Sequence, residues 1–312
     1  MIDPSAVSAV LTILVPSIEE HRRRSRLPFV LGLSGLQGSG KSTWAAELCK
    51  VLSQEHGYNT RALSIDDLYH DHPELVAVRH KYPENKLLGT RGQPGTHDES
   101  LAKKFFTDLF GDDSAEHGRI VRWPAYDKSL HQGQGGRVPE EQWETVSLDP
   151  PLQVLIFEGW CLGFQPLKQQ SVADKWQQAR ASRDGSGRST TSTLADHRLE
   201  NLLQINENLA RYCEAFMGPW RYDGFLHLST EDLGNVYEWR LDQERALRKT
   251  KPGMTDEQVV QFVRGYMPAH ELFLERLQTQ NMFASGSTQS PSRKHIQVSL
   301  DSARQIVSVK EL

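Results

Sequence analysis

A glycine-rich segment with one lysine and two hydroxyl residues is the part of the sequence best suited to chemistry. It fits the pattern G-x-x-x-x-G-K-[ST], in which backbone N–H groups surround phosphate oxygens. Lys41 would reach the β and γ phosphates of a nucleoside triphosphate, and the Ser42 hydroxyl would hold Mg²⁺. We therefore predict a triphosphate site formed by Gly35, Leu36, Gln37, Gly38, Ser39, Gly40, Lys41, Ser42 and Thr43.

The segments around this loop predict the strand and helix that must position it. The apolar run Phe29, Val30, Leu31 and Leu33 indicates a buried strand, and helix-forming residues follow the loop from about 43 to 55. Residues 60–65 predict a second strand. Strand, helix and strand in this order begin a βαβ unit, so we expect an α/β fold with a parallel sheet.

Acidic residues follow two predicted strands. Asp66 and Asp67 come after the second strand, and Glu158 follows the apolar run 152–157. Because ligands of open parallel sheets lie beyond the carboxyl ends of the strands, these carboxylates should converge on the phosphate loop. We predict that Asp66 takes the proton of an acceptor hydroxyl and that Glu158, with Ser42, holds the metal. Asp67 remains an alternative to Asp66 as the base. The plainer alternatives are that Asp66 or Asp67 only caps the next helix and that Glu158 only pairs with a lysine.

The segment RGQPGTHD contains three polar residues that a turn alone does not explain. Thr96 and Glu99 have the spacing of a capping box for a helix running to about residue 110. Arg91, His97 and Asp98 remain, and they could bind a small polar substrate, with Arg91 on a carboxylate and Asp98 on a hydroxyl.

Two further groups of residues are candidates for the same site. Tyr126 and Lys128, with Arg137 nearby, lie in a loop-rich region and could bind an anionic acceptor. Arg240 lies in a basic row on a predicted helix and could stabilise the charge of the transferring phosphate. The alternative for the row is a surface ion pair, since Glu244 precedes Arg248 by four residues. For Lys128, the alternative is simple solvation.

Composition limits the class of protein. The 312 residues carry a net charge of −4, which gives no basic field for nucleic acid, and three widely spaced cysteines suit reduced thiols. No apolar stretch approaches the ~20 residues that cross a bilayer. We expect no nucleic-acid or membrane partner and a cytoplasmic location, with a nuclear one left open. The oligomeric state does not follow from the sequence.

The chain is expected to form a single domain over residues 1–312. Residues 1–26 would form an amphipathic N-terminal helix followed by a basic connector, HRRRSR. Residues 168–193 are polar and contain little to bury, which predicts a mobile surface insertion.

Seven segments spread over nearly the whole chain are distinctive: GLQGSGKST, SIDDLY, RGQPGTHD, YDKS, FEGWCLGF, NVYEWRLDQE and GMTDEQVVQFVRGYMP. They resemble segments of the D-glycerate 3-kinases and their fungal relatives, a family of P-loop kinases similar to uridine, phosphoribulo- and pantothenate kinases. Gln93 and Pro94 differ from the plant enzymes and are closer to the fungal relatives.

The resemblance implies a P-loop NTPase fold, in which a doubly wound, mostly parallel sheet is flanked by helices, with ATP and Mg²⁺ as cofactors. It also implies an ATP-dependent kinase acting on a hydroxyl of D-glycerate or a similar small anionic hydroxy acid. Asp66 would be the base, and residues 91–98 would bind the acceptor. A kinase of nucleoside or pantothenate type and a regulatory ATPase without an acceptor are the alternatives.

Overall fold

A computed structural model describes residues 2–111, 119–182, 191–250, 253–284 and 293–312. The described strands are β1 (Phe29–Gly35), β2 (Thr60–Ser64), β3 (Ile120–Trp123), β4 (Tyr126–Asp127), β5 (Gly136–Arg137), β6 (Glu144–Ser147), β7 (Val154–Gly159), β8 (Gly224–Ser229), β9 (Lys294–Leu300) and β10 (Ile306–Glu311). The described helices are α1 (Pro4–Arg24), α2 (Lys41–Gln54), α3 (His72–Lys81), α4 (Glu99–Phe110), α5 (Gln169–Ala181), α6 (Leu199–Tyr212), α7 (Asn235–Arg248), α8 (Asp256–Arg264) and α9 (Met267–Thr279).

One six-stranded sheet has the order β10-β9-β8-β1-β7-β2. All neighbouring strands in it are parallel except β10, which runs antiparallel to β9 at the edge. The chain adds β2 and β7 on one side of β1 and β8 to β10 on the other, which makes the sheet doubly wound. Every residue of β1, β7 and β8 is buried, as expected for parallel strands covered on both faces. The predicted α/β class and mostly parallel sheet are confirmed.

The register of the three strands nearest the site brings their carboxyl ends together. Glu158 of β7 is aligned with Leu33 of β1 on one side and with Ser64 of β2 on the other. The phosphate loop begins at the end of β1, and Asp66 lies two residues beyond β2. A separate small hairpin is formed by β4 and β5, and Lys128 between these strands contacts Asp66 at this edge.

Helix α1 packs its apolar face against the sheet, as the N-terminal pattern predicts. Leu14 is fully buried, and a Cβ added at Gly224 of β8 would lie 3.5 Å from Leu14 Cδ1. The basic connector is a correction to the sequence interpretation, because the helix continues to Arg24 and includes most of the run. Basic residues are favourable in a last helical turn, where carbonyl groups give the helix end a partial negative charge.

We expect Leu14→Ala to lower the free energy of unfolding by about 2–5 kcal/mol, because it leaves a cavity between α1 and the sheet. Urea denaturation followed by circular dichroism measures this change. The exposed neighbour Thr12 is the control on the same helix, and Thr12→Ala should stay within about 0.5 kcal/mol of wild type. Equal stability of all three proteins would mean that α1 is not part of the cooperative domain.

The segment 168–193 contains a helix that its polar composition does not predict. Helix α5 buries Val172, and Trp176 Nε1 donates to the carbonyl of His197 at 2.9 Å. At the other end of the segment, the Thr193 hydroxyl donates to Glu271 Oε1 at 2.5 Å. Residues 183–190, within the predicted mobile insertion, lie outside the described residues.

Candidate functional site

The phosphate loop has the backbone that its glycines permit. Gly38 and Gly40 have φ angles of 80° and 92°, in the left-handed region that residues with a side chain rarely adopt. A Cβ at Gly38 would lie 2.8 Å from the Cβ of Trp239 on α7, so this glycine is also required by close packing. The loop leads directly into α2, whose first N–H groups and positive dipole end favour an anion.

Lys41, Ser42 and Glu158 lie together at the base of this loop. Lys41 Nζ donates to the carbonyl of Leu36 at 3.0 Å, and the Ser42 hydroxyl donates to Glu158 Oε1 at 2.9 Å. Burial lowers the pKa of Lys41, while the charges of Glu158 and Asp66 oppose that shift. The sequence predicted that these side chains share one cleft, and the structure brings them together.

Asp66 and Asp67 are adjacent in sequence but have different surroundings. Asp67 Oδ2 accepts the backbone N–H of Ser64 at 3.4 Å in a capping box, and burial together with the Asp66 charge raises its pKa to about 7. Asp66 Oδ2 instead lies 2.5 Å from Lys128 Nζ. Burial acts to raise the pKa of Asp66, but the positive charges around it, led by Lys128, outweigh burial and lower that pKa. Asp66 is therefore the ionised carboxylate that faces the lysines.

Cationic and aromatic side chains surround Asp66 on the side away from the sheet. The pairing with Asp66 raises the pKa of Lys128, whose side chain is more than half exposed. Arg91 donates to the carbonyl of Gly133 at 2.7 Å, and its guanidinium lies 5.9 Å from the centre of the Tyr126 ring. Three predicted acceptor residues, Arg91, Tyr126 and Lys128, thus lie on one wall of the cleft.

The structure places the other two predicted acceptor residues, His97 and Asp98, against Tyr69, Arg137 and the start of α4. His97 is buried, and its ring stacks on Tyr69 at 4.2 Å. Asp98 Oδ1 accepts the N–H of Leu101 at 2.9 Å as the cap of α4, while its Oδ2 accepts from Arg137 at 2.9 Å. The predicted Thr96 cap is wrong, because the Thr96 hydroxyl closes the preceding turn by donating to the carbonyl of Gln93 at 2.8 Å. Aspartate and threonine are both good caps, and spacing alone did not separate them.

Helix α6 supplies a residue of the site that sequence reasoning missed. The Tyr212 hydroxyl accepts the backbone N–H of Gly95 at 2.7 Å and that of His97 at 2.8 Å. Asn208, one turn earlier, donates to the carbonyl of Pro94 at 2.8 Å. These bonds fix the shape of the loop 91–98. Their partners are more than 110 residues apart in sequence, so no local pattern indicates them.

Arg240 follows Trp239, which packs on Gly38 of the phosphate loop, and the guanidinium of Arg240 lies 5.3 Å from the centre of the Phe262 ring. The alternative interpretation, a surface pair of Glu244 with Arg248, is wrong. Glu244 is buried and pairs with Arg240 at 2.7 Å, whereas Arg248 pairs with Asp256. A buried carboxylate needs a charged partner, and Arg240 provides it.

The oxygen groups at the loop fit magnesium. Mg²⁺ is usually bound by one or two carboxylates together with phosphate oxygens and waters, and Ser42 with Glu158 provides such a pair of oxygen groups. Within the described ranges, no group of three or more His, Cys, Asp or Glu side chains is arranged to hold a metal ion.

No described helix is both long and apolar enough to cross a membrane.

Comparisons with known proteins find kinases over nearly the full length of the chain. It is 32% identical over 279 residues to "Uncharacterized kinase mug58" of Schizosaccharomyces pombe, covering 88% of this chain and 91% of that protein. It is 31% identical to "Probable ATP-dependent kinase TDA10" of Saccharomyces cerevisiae, covering 92% and 89%. The solved D-glycerate 3-kinase of Cryptococcus neoformans superimposes with a TM-score of 0.82 and 29% identity, covering 98% and 99%. No protein-family model matches the chain.

Proposed function

The chain belongs to the D-glycerate 3-kinase family of P-loop, ATP-dependent kinases, and on that premise we propose that it transfers the γ-phosphate of ATP to a hydroxyl of D-glycerate or of a similar small hydroxy acid. The solved relative is named for D-glycerate, which supports an acceptor of this class. The reaction moves a phosphoryl group from ATP to the hydroxyl oxygen, and the hydroxyl proton leaves to a base.

The observation that carries the proposal is the Asp66–Lys128 pair beside Lys41. A carboxylate with a lowered pKa is ionised at neutral pH and ready to accept a proton, although the lowered pKa also limits its driving force as a base. Lys128 and Arg91 add positive charge next to it, which suits an acceptor that carries both a hydroxyl and a carboxylate. A neutral acceptor would bring no negative charge to Arg91, whose described hydrogen bond is to a backbone carbonyl.

The remaining roles are proposed from the positions of the side chains. Lys41 and the loop amides would bind the phosphates, and Ser42 and Glu158 would hold Mg²⁺, which supplies charge neutralisation at the β and γ phosphates. Asp66 would accept the proton. Arg240 would stabilise the charge that develops on the transferring group, and it would do so while paired with Glu244. His97 and Asp98 would support the acceptor wall through Tyr69 and Arg137.

A panel of acceptors tests the proposal. ADP release would be measured with D-glycerate, L-glycerate, glycolate, uridine and pantothenate, with Lys41→Ala as the blank. We expect turnover with D-glycerate or another hydroxy acid and none with uridine. Turnover only with uridine or pantothenate would replace the acceptor class, and ADP release that is independent of any acceptor would indicate a regulatory ATPase.

The role of α6 gives a separate prediction. Tyr212→Phe leaves the backbone N–H groups of Gly95 and His97 without their buried partner, so we expect the free energy of unfolding to fall by about 2–3 kcal/mol. The KM for the acceptor should rise about tenfold while that for ATP changes little, because misplacing a binding group by a fraction of an ångström weakens orientation. Steady-state kinetics and urea denaturation measure both.

Tyr222 provides the matched control, since it is also buried and its hydroxyl donates to the carbonyl of Met217 at 3.2 Å, away from the acceptor loop. Tyr222→Phe should lower stability without changing the KM for the acceptor. If both variants raise that KM equally, the loop 91–98 is not specifically held by Tyr212.

A further inference from the structure

Within the part of the chain that the structure describes, Gln37 of the phosphate loop has a side-chain oxygen that hydrogen-bonds to another residue and a side-chain NH₂ group that does not. Gln37 Oε1 lies 3.1 Å from His270 Nε2 on α9. At the other end of the amide, Nε2 is buried, and no hydrogen-bond partner for it exists among the described residues. A buried N–H group without a partner is unfavourable by about 1–3 kcal/mol, so a ligand oxygen that accepts from it would be stabilising.

His270 contacts this amide from a buried position among aromatic rings. Its imidazole is buried, with Trp160 and Phe164 packed edge-on at ring distances of 5.3 and 5.9 Å. Burial, aided by the charge of Lys41, lowers the pKa of His270 to about 3, so the ring is neutral at physiological pH. A neutral ring that carries its proton on Nε2 donates to Gln37 Oε1, which turns the NH₂ group of Gln37 away from α9.

The free amide lies at the end of the loop where the terminal phosphate belongs. Lys41 Nζ, which in this motif reaches the β and γ phosphates, rests on the carbonyl of Leu36, the residue immediately before Gln37. His270 lies at the same end, because its ring contacts the side chain of Gln37. A γ-phosphate oxygen at that position would give the amide N–H its missing acceptor.

We propose that the Gln37 side-chain amide donates a hydrogen bond to the γ-phosphate of the bound nucleotide, and that His270 is the positioning residue that presents this amide. The proposal rests on the nucleotide-binding part of the proposed function and is independent of the acceptor. It also explains why a polar histidine occupies a buried site among aromatic rings, where an apolar residue would pack at least as well.

Nucleotide affinity without an acceptor tests this assignment. ADP and a non-hydrolysable ATP analogue would be titrated by calorimetry, in the presence of Mg²⁺, into wild type, Gln37→Met, His270→Leu and the double variant. We expect Gln37→Met to weaken the ATP analogue about tenfold to a hundredfold, the effect of one hydrogen bond to a charged group, and to leave ADP affinity unchanged. His270→Leu should weaken the analogue selectively too, and the double variant should be no weaker than Gln37→Met.

Two further variants separate positioning from general damage. His270→Gln supplies an amide N–H in place of Nε2 and should recover most of the affinity for the analogue. His295 on β9 is buried as well, packs edge-on to Phe225, and is the matched control; His295→Leu should keep the wild-type ratio of the two affinities. Gln37→Met tests the phosphate contact even if His270→Leu fails to fold.

Equal weakening of ADP and the analogue, or no weakening of either, would overturn the contact between Gln37 and the γ-phosphate. Additive losses in the double variant would overturn the positioning role of His270. Because no acceptor is present in these titrations, the outcome of the acceptor panel changes neither result. A wild-type protein that binds neither nucleotide would instead refute the nucleotide site itself.

Discussion

Lys41→Met is expected to lower kcat/KM for ATP by on the order of 10³-fold, because it removes the positive charge nearest the transferring phosphate from a buried position. Methionine retains the length and most of the volume of the lysine stem, so the loop keeps its packing. The interaction that is lost is the electrostatic attraction between the lysine charge and the phosphate. It acts more strongly on the transition state than on the bound substrate, and kcat should therefore fall more than KM rises.

Initial rates over a range of ATP concentrations measure this effect, and Lys50 offers a control on the same helix. Lys50 pairs with Glu47 at 3.2 Å on the exposed face of α2, where a single ion pair contributes little. Lys50→Met should therefore leave the rate unchanged. A Lys41→Met protein that is folded and as active as Lys50→Met would exclude the phosphate loop as the reaction centre.

The parts of the site that follow from local sequence were predictable. The phosphate loop, the strand before it and the helix after it are all encoded within residues 29–55, and their predicted types are found in the structure. The convergence of Asp66 and Glu158 on Lys41 needed one further step, the rule that parallel strands end at a common edge. The register of β2, β7 and β1 satisfies that rule.

The partners of the charged residues were not predictable, because they depend on contacts between distant segments. From the sequence, Lys128 was either a solvated lysine or a ligand of the substrate. In the structure it contacts Asp66, which lies 62 residues away along the chain. Glu244 has helical spacing to both Arg240 and Arg248, and only the burial of one helix face decides between them. Likewise, the contacts of Tyr212 with Gly95 and of His270 with Gln37 join distant segments, and no local pattern indicates them.

Asp66→Asn is expected to reduce kcat by about 10²–10⁴-fold, the usual contribution of a general base, with a smaller change in the KM for ATP. Asparagine keeps the shape of the side chain and can still accept a hydrogen bond from Lys128, so the cleft keeps its geometry. It cannot take the proton of the acceptor hydroxyl. Steady-state rates with saturating ATP and a hydroxy acid measure the loss.

The neighbouring Asp67 is both the rival base and the matched control. Its pKa of about 7 lies nearer the ideal for a base, but its carboxylate is turned back onto the N–H of Ser64, and geometry takes precedence over pKa. Asp67→Asn preserves an acceptor for that cap, so we expect kcat to fall much less than in Asp66→Asn. The pH profile gives a second criterion, because the lowered pKa of Asp66 keeps it ionised well below pH 7. A limb near pH 7 that is lost in Asp67→Asn, with Asp66→Asn still active, would transfer the role to Asp67.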